Sequence, residues 1–244
     1  MKLKRIFAAV LAAAMLLSFA GCANKDTKGD SSEPAGEQTT EERTTEPQTN
    51  EDGSLVKPKN AVSVSDDVKI KTYSGTSLIE ISNRVMEPYG NAYKNMKNYA
   101  DALNRLKAEM PDTKAYCLMA PTAIEFYAPS KYNTGVSKSQ YEGMCYIYEQ
   151  LKDITPVNAY AEMAAHTDEY LYFRSDHHWT TLGAYYAYRT FAKVAGFTPV
   201  DKNTLQTGKL SPFLGLFYKD TKSTALSNDP DYVEYFIPPV NTTA

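Results

Sequence analysis

Apolar and polar positions alternate from Asp66 to Tyr73, with Val68, Ile70 and Thr72 set against Asp67, Lys69 and Lys71. That period of two predicts a strand. From Asn91 to Met110 the period changes. Tyr93, Met96, Tyr99, Ala100, Leu103, Leu106 and Met110 recur at spacings of three and four, which is one face of a helix, and Pro111 and Asp112 end it. Lys114 to Ala120 is a short continuous apolar run closed by Pro121, the pattern of a strand buried on both faces. Ser137 and Gln140 have the spacing of a capping box and predict a helix to about Lys152. Ile154 to Val157 reads as a short strand, Asn158 to His166 as a short helix, and Glu169 to Arg174 as a further strand. Thr180 or Thr181 caps a predicted helix that runs to Ala195 and stops at Gly196.

Strand, helix, strand, helix, strand and helix therefore follow one another from about residue 114 to 196. This order predicts the α/β class, with a parallel sheet covered by helices. In such sheets ligands bind beyond the carboxyl ends of the strands, which draws attention to the loop after Phe173. Residues 197–244 hold Pro199, Pro212, Pro230, Pro238 and Pro239 and no clear period. They predict loops, and a fold left incomplete at its C-terminus.

The first 60 residues differ from the rest. Lys2, Lys4 and Arg5 precede a 12-residue apolar run, Ile6 to Leu17, which is too short to span a bilayer. With the small residues Ala20 and Gly21 before Cys22, residues 1–22 read as a secretory signal. The order Phe19-Ala20-Gly21-Cys22 resembles a bacterial lipobox, and the resemblance implies a lipid on Cys22 and attachment to the outer face of the cell membrane. A diacyl anchor is enough for stable attachment. Residues 23–60 hold 5 bases and 9 acids, with Ala23, Ala35, Leu55 and Val56 as their only apolar residues. They predict a disordered polar tether. The folded domain is then expected at 61–244. Gly29-Asp30-Ser31 in the tether has the form of an esterase nucleophile block, but no apolar strand precedes it to hold the serine rigid.

The whole chain of 244 residues has a net charge of −3, with no basic excess for nucleic acid. Its three cysteines are too few for a disulfide scaffold or a multi-cysteine zinc site. All 19 tyrosines fall in residues 61–244; some could stack on sugar rings, but their spacing on the predicted helices points to packing. Cys117 and Cys145 are expected as buried thiols, with a disulfide open to an exported protein. No nucleotide loop, metalloprotease signature or other cofactor motif occurs, so no cofactor is expected.

The strongest chemical signal is Arg174-Ser175-Asp176-His177-His178-Trp179-Thr180, which sets two of the three histidines and the only tryptophan directly after a predicted strand. In an extended segment Asp176 and His178 point to the same side. A carboxylate there would fix the imidazole tautomer and raise its basicity, as in the Asp–His half of a triad. Two other readings stay open from the residues alone. Asp176 could cap the following helix with structural histidines beside it. A metal could also be held, although His177 and His178 diverge and His166 is the only other histidine, so three-ligand geometry is hard to assemble and no metal is expected.

The run from Tyr172 to Tyr188, together with Met119 to Tyr127 and Ser139-Gln140, resembles the bacterial DHHW protein family. That family is similar to the SGNH-hydrolase-like domains of the alginate O-acetyltransferases, in which an Asp-x-His-Trp block supplies the acid and base of a Ser-His-Asp triad. The resemblance implies an SGNH-like (flavodoxin-like) fold. It assigns Asp176 as the orienting carboxylate and His178 as the general base, with Trp179 on the following Trp and His177 on the variable position; His177 and Trp179 are the expected substrate-binding residues. It implies acyl chemistry on acetyl esters of an exported or wall polysaccharide, as transferase or esterase. The relatives place their serine in an Asp-Ser segment downstream of this block, and none occurs between Thr180 and Ala244; Ser211, Ser223 and Ser227 lack the preceding Asp. The nucleophile is therefore expected to be absent from this chain, which is either a fragment of a longer protein or a truncated form that cannot complete the triad. The alternative is a tethered glycan-binding or scaffold lipoprotein that keeps the motif for folding.

Overall fold

The structure is a computed structural model that describes residues 48–49, 55–134 and 137–238. The expected secretory signal at residues 1–22 with Cys22, Gly29-Asp30-Ser31 and most of the expected tether lie outside the described residues. The described chain begins with a small antiparallel ladder, β1 (Gln48–Thr49) with β2 (Leu55–Val56). β3 (Ile70–Thr72), β4 (Ile79–Ile81) and β5 (Arg84–Met86) then make an antiparallel meander. The helix α1 (Tyr93–Glu109) leads to β6 (Tyr116–Leu118), α2 (Ala123–Tyr127), α3 (Ser130–Thr134) and α4 (Gln140–Glu149). β7 (Thr155–Val157) pairs with β6 in parallel, and α5 (Tyr160–Ala164) and the long α6 (Thr181–Ala195) follow. Beyond α6, β8 (Gln206–Phe213) and β9 (Asp231–Ile237) form an antiparallel ribbon, with α7 (Leu216–Thr221) and α8 (Thr224–Asn228) between them.

The class is α/β as expected, but among the described residues the parallel sheet is a single pair of strands. Glu169 to Arg174, expected as its third strand, makes one bridge, Tyr172 to Trp179. The reason is local. The Thr180 amide donates to the Leu171 carbonyl at 2.8 Å and the Phe173 amide to the His178 carbonyl at 3.3 Å, so the segment folds back on itself before a sheet can claim it. Residues 197–238 also differ from the expected loops, since the β8–β9 ribbon and two short helices occupy most of them. Of Asp66 to Tyr73 only Ile70 to Thr72 is strand. Ser139, not Ser137, caps α4 by accepting the Glu142 amide; Ser137 is buried and accepts the Tyr89 amide at 3.0 Å. α6 fits its expectation, with Thr180 at its start and Gly196 left-handed, φ 86°, at its end.

The body extends back past the expected boundary at residue 60. Lys57 pairs with the buried Glu125 at 2.6 Å, and the Asn60 side chain donates to the Phe126 carbonyl at 3.3 Å. Lys57 and Asn60 thus contact α2, so the body does not begin at residue 61.

One main core joins β4, β5, α2, α4, α5 and α6, through Ile79, Met86, Phe126, Met144 and Met163 among others. Tyrosines fill much of it. Tyr141, Tyr160, Tyr172 and Tyr186 are all buried. Three of their hydroxyls have internal acceptors: Tyr160 bonds Glu125 at 2.9 Å, Tyr172 the Pro121 carbonyl at 2.6 Å and Tyr186 Glu169 at 2.5 Å. A buried phenol needs such a partner. On α1, Met96 and Ala100 are buried against Ile147 of α4, whereas Tyr93, Tyr99, Leu106 and Met110 of the same predicted face are exposed. Cys117 and Cys145 are buried free thiols. Among the described residues no helix is long and apolar enough to cross a membrane.

Candidate functional site

The turn from Arg174 to Trp179 leads into α6. Its incoming strap is fixed from the β5 side. The Arg84 guanidinium donates to the carbonyls of Tyr172 and Phe173 at 3.0 and 2.9 Å, and the Val85 amide donates to the Arg174 carbonyl at 2.9 Å. Thr180 anchors the outgoing side, with its hydroxyl donating to the Tyr170 carbonyl at 2.6 Å.

Asp176 stands at the turn with its side chain 11% exposed. Its Oδ1 lies 2.6 Å from His178 Nδ1 and also accepts the His178 amide at 3.1 Å. Its Oδ2 accepts the Leu216 amide at 2.9 Å. Burial alone would raise the Asp176 pKa, but the Leu216 amide and His178 outweigh it and hold the carboxyl below its ordinary 3.8. The group is therefore a carboxylate across the neutral range. It meets Nδ1, so Nε2 is the ring nitrogen left for chemistry. The His178 side chain is 65% exposed. The arrangement is an imidazole oriented through Nδ1 and open to solvent at its other nitrogen.

His177 lies beside this pair. Its Nδ1 is 3.6 Å from Asp176 Oδ1, and its ring centre is 3.9 Å from that of His178. It also borders a shallow crevice between Met86, Thr122, Ile124 and Phe217. The Met119–Tyr127 motif reaches the site through this crevice. Trp179 behaves differently. It is partly buried, packs against the main core and bridges to Tyr172.

Asp176, His177 and His178 each bring a ligand atom within 4.8 Å of the others, so the sequence-based objection that three ligands are hard to gather does not hold here. The 2.6 Å contact is nevertheless a hydrogen bond. Two donors on one ion, each at about 2.1 Å, stand roughly 3 Å or more apart. The geometry is that of the dyad.

No serine hydroxyl among the described residues hydrogen-bonds to His178. Ser223 is buried and caps α8. Ser227 donates to the Thr224 carbonyl, and Ser175 turns inward to Asp231.

Sequence reasoning missed the residues that hold the turn from behind. Asp231, at the start of β9, is fully buried and accepts from Tyr170 Oη at 2.6 Å, Arg174 Nε at 3.0 Å, the Arg174 and Ser175 amides at 2.9 and 2.7 Å, and Ser175 Oγ at 2.5 Å. Burial would raise its pKa, but these donors, Ser175 and Tyr170 foremost, hold it below 3.8. Arg174 also pairs with Asp229. A carboxylate 55 residues after Asp176, next to Pro230, carries no local signal; only the expectation that these prolines mark loops was available.

The fold and the site define a mixed α/β protein with a buried Asp paired to an exposed His on the turn into α6. The chain belongs to the DHHW protein family, whose model matches residues 44–244. It is similar to a DHHW family protein from Eubacterium siraeum, with 31% identity and a TM-score of 0.63, covering 70% of this chain and 57% of that one. Its fold is also like that of Bacillus cereus PatB1, solved with a sulfonyl adduct, at 16% identity and a TM-score of 0.52, covering 70% of this chain and 58% of that one. The chain thus spans less than three-fifths of either relative's length. The O-acetyltransferase domain of Pseudomonas putida AlgJ overlaps it at 14% identity and a TM-score of 0.44, too slight a likeness to bear on the reading. No curated protein matches the chain.

Proposed function

We propose that this protein carries the acid–base half of a Ser-His-Asp acyl-transfer site, held outside the cell by a lipid on Cys22, and acts on acetyl esters of an exported or wall polysaccharide. The observation that carries the reading is the 2.6 Å bond between Asp176 Oδ1 and His178 Nδ1, made by a carboxylate that stays ionised beneath an exposed ring. His178 Nε2 takes the proton of a serine hydroxyl as that oxygen attacks the acetyl carbonyl. The same proton then passes to the departing oxygen, and an acetyl-serine forms. A sugar hydroxyl or water, deprotonated in turn by His178, attacks the acetyl-serine, releases the acetyl group as a new ester or as acetate, and restores the serine. Asp176 holds the tautomer and steadies the imidazolium throughout. His177, at the crevice beside the ring, is placed to contact the substrate. The reading needs a serine that the described residues do not bring to His178, and takes it from a downstream segment of a longer form.

The test compares acetyl-ester turnover by the 244-residue chain and by a form extended through that downstream sequence. The extended form should turn over acetyl esters and the shorter one should not. In the extended form His178→Ala should abolish turnover and Asp176→Asn should lower kcat by about 10⁴. Equal turnover by the two lengths, or full activity in His178→Ala, would overturn the reading. For the anchor, Cys22→Ala should shift the protein from the membrane fraction to the medium or leave its signal uncut; unchanged retention would count against lipidation.

A further inference from the structure

The dyad's carboxylate is held by a relay that begins at Asp231. From the side chain of Asp231 the hydrogen bonds run through Ser175 to the backbone of Gly215 and Leu216, and from there to Asp176. Ser175 Oγ donates to Asp231 Oδ2 at 2.5 Å and accepts the Gly215 amide at 3.0 Å. The next amide in the chain, that of Leu216, donates to Asp176 Oδ2 at 2.9 Å. Two consecutive amides thus grip two consecutive side chains of the turn. Gly215 is pressed so close that a β-carbon there would fall 2.5 Å from Asp176 Oδ2 and closer still to its Cβ. The Tyr218 amide adds a bond to the Ser175 carbonyl at 3.2 Å, so α7 is docked on the same turn.

We infer that Asp231 and Ser175 are positioning residues for the Asp176–His178 pair. The inference rests on the acyl-transfer reading for its purpose. Asp231 touches neither ring nor substrate cleft. It fixes Ser175 through two bonds to Oδ2, one from the amide and one from the hydroxyl, and so fixes where the hydroxyl meets Gly215. That contact sets the plane of the Gly215–Leu216 segment and the direction from which Oδ2 of Asp176 is held. With Oδ2 engaged there, Oδ1 is presented to Nδ1 of His178. Five donors on one buried carboxylate fix the turn around it, and a general base must be held to a fraction of an ångström.

The experiment reads the His178 tautomer directly, by ¹⁵N chemical shifts of the neutral imidazole and by exchange of its Nδ1 proton, in the 244-residue chain. No turnover is needed, so the result stands apart from the acyl-transfer reading: failure of ester turnover sinks that reading alone. The wild type should show an Nδ1-protonated ring with a slowly exchanging proton. Ser175→Ala removes one hydroxyl of a buried turn and should keep the fold by circular dichroism, yet mix the tautomers and speed Nδ1 exchange about tenfold, as loss of one hydrogen bond's worth of restraint implies. Ser175→Thr, which keeps the hydroxyl, should recover most of the wild-type signal. Asp231→Asn should act in the same direction when folded. Wild-type tautomer and exchange in folded Ser175→Ala would overturn the inference, whatever Asp231→Asn does.

Discussion

The turn that carries Asp176 and His178 is held from two sides, and the two sides hold different things. The β5 side holds backbone: Arg84 and Val85 bond only to the carbonyls of residues 172–174. The C-terminal side holds chemistry: Asp231, Gly215 and Leu216 bond to the side chains of Arg174, Ser175 and Asp176. A side chain that bonds carbonyls sets where the chain runs and leaves the side chains free. Bonds to the side chains themselves set where the reactive atoms point. The first grip should therefore govern stability alone, and the second both stability and the state of the His178 ring.

The two grips differ most at Asp231. Asp231→Asn leaves Ser175, Tyr170 and Arg174 without a carboxylate in a fully buried spot, and should cost about 3–5 kcal/mol of unfolding free energy in urea titrations. Arg84→Met should cost less, about 1–3 kcal/mol, because two carbonyls lose a charged donor while the new chain keeps apolar contact with Tyr127. Its His178 ¹⁵N signals should match the wild type; a tautomer change in this variant would erase the distinction between the two sides. Gly215→Ala should fall in the same range through overpacking, about 1–3 kcal/mol, and unlike Arg84→Met should disturb the ring signals.

Acid sharpens the same contrast. Asp176 and Asp231 both have folded pKa values below their ordinary 3.8. For a lowered carboxylate the stabilisation is fully present above the unfolded value and is lost as pH falls through the folded one. Stability should hold down to about pH 4 and drop below pH 3.8, and Asp231→Asn should flatten that limb. The smallest effect concerns a distant part of the fold. Lys57→Met should lower stability by about 1 kcal/mol, since Glu125 keeps the Tyr160 hydroxyl and the Gln140 amide. No change in melting temperature would mean that the Lys57–Glu125 pair adds nothing to the fold.

What could be read in the sequence follows the range of each interaction. α6 was legible because its cap, its face and its terminal glycine are all local. The Asp176–His178 pair was legible for the same reason, being two residues apart. The parallel pairing of β6 with β7 followed from the helix between them. The fate of Glu169 to Arg174 was not, since whether its amides face a sheet or the chain's own return at His178 is decided by the turn. The β8–β9 ribbon hid behind Pro212 and Pro230 and an exposed, mixed pattern, with Leu210, Tyr235 and Ile237 all outward. Asp231 stayed hidden with it, because nothing near a buried carboxylate in sequence announces five donors gathered from residues 170–175.

Covalent labelling reads most directly whether His178 activates a nucleophile, as proposed. The extended protein is treated with a sulfonyl fluoride and followed by intact-mass spectrometry, then compared with its His178→Ala variant. One adduct is expected, on a serine downstream of residue 244, formed at least about 100-fold more slowly without His178. Labelling at the same rate in both proteins, or no adduct on the extended wild type, would contradict it.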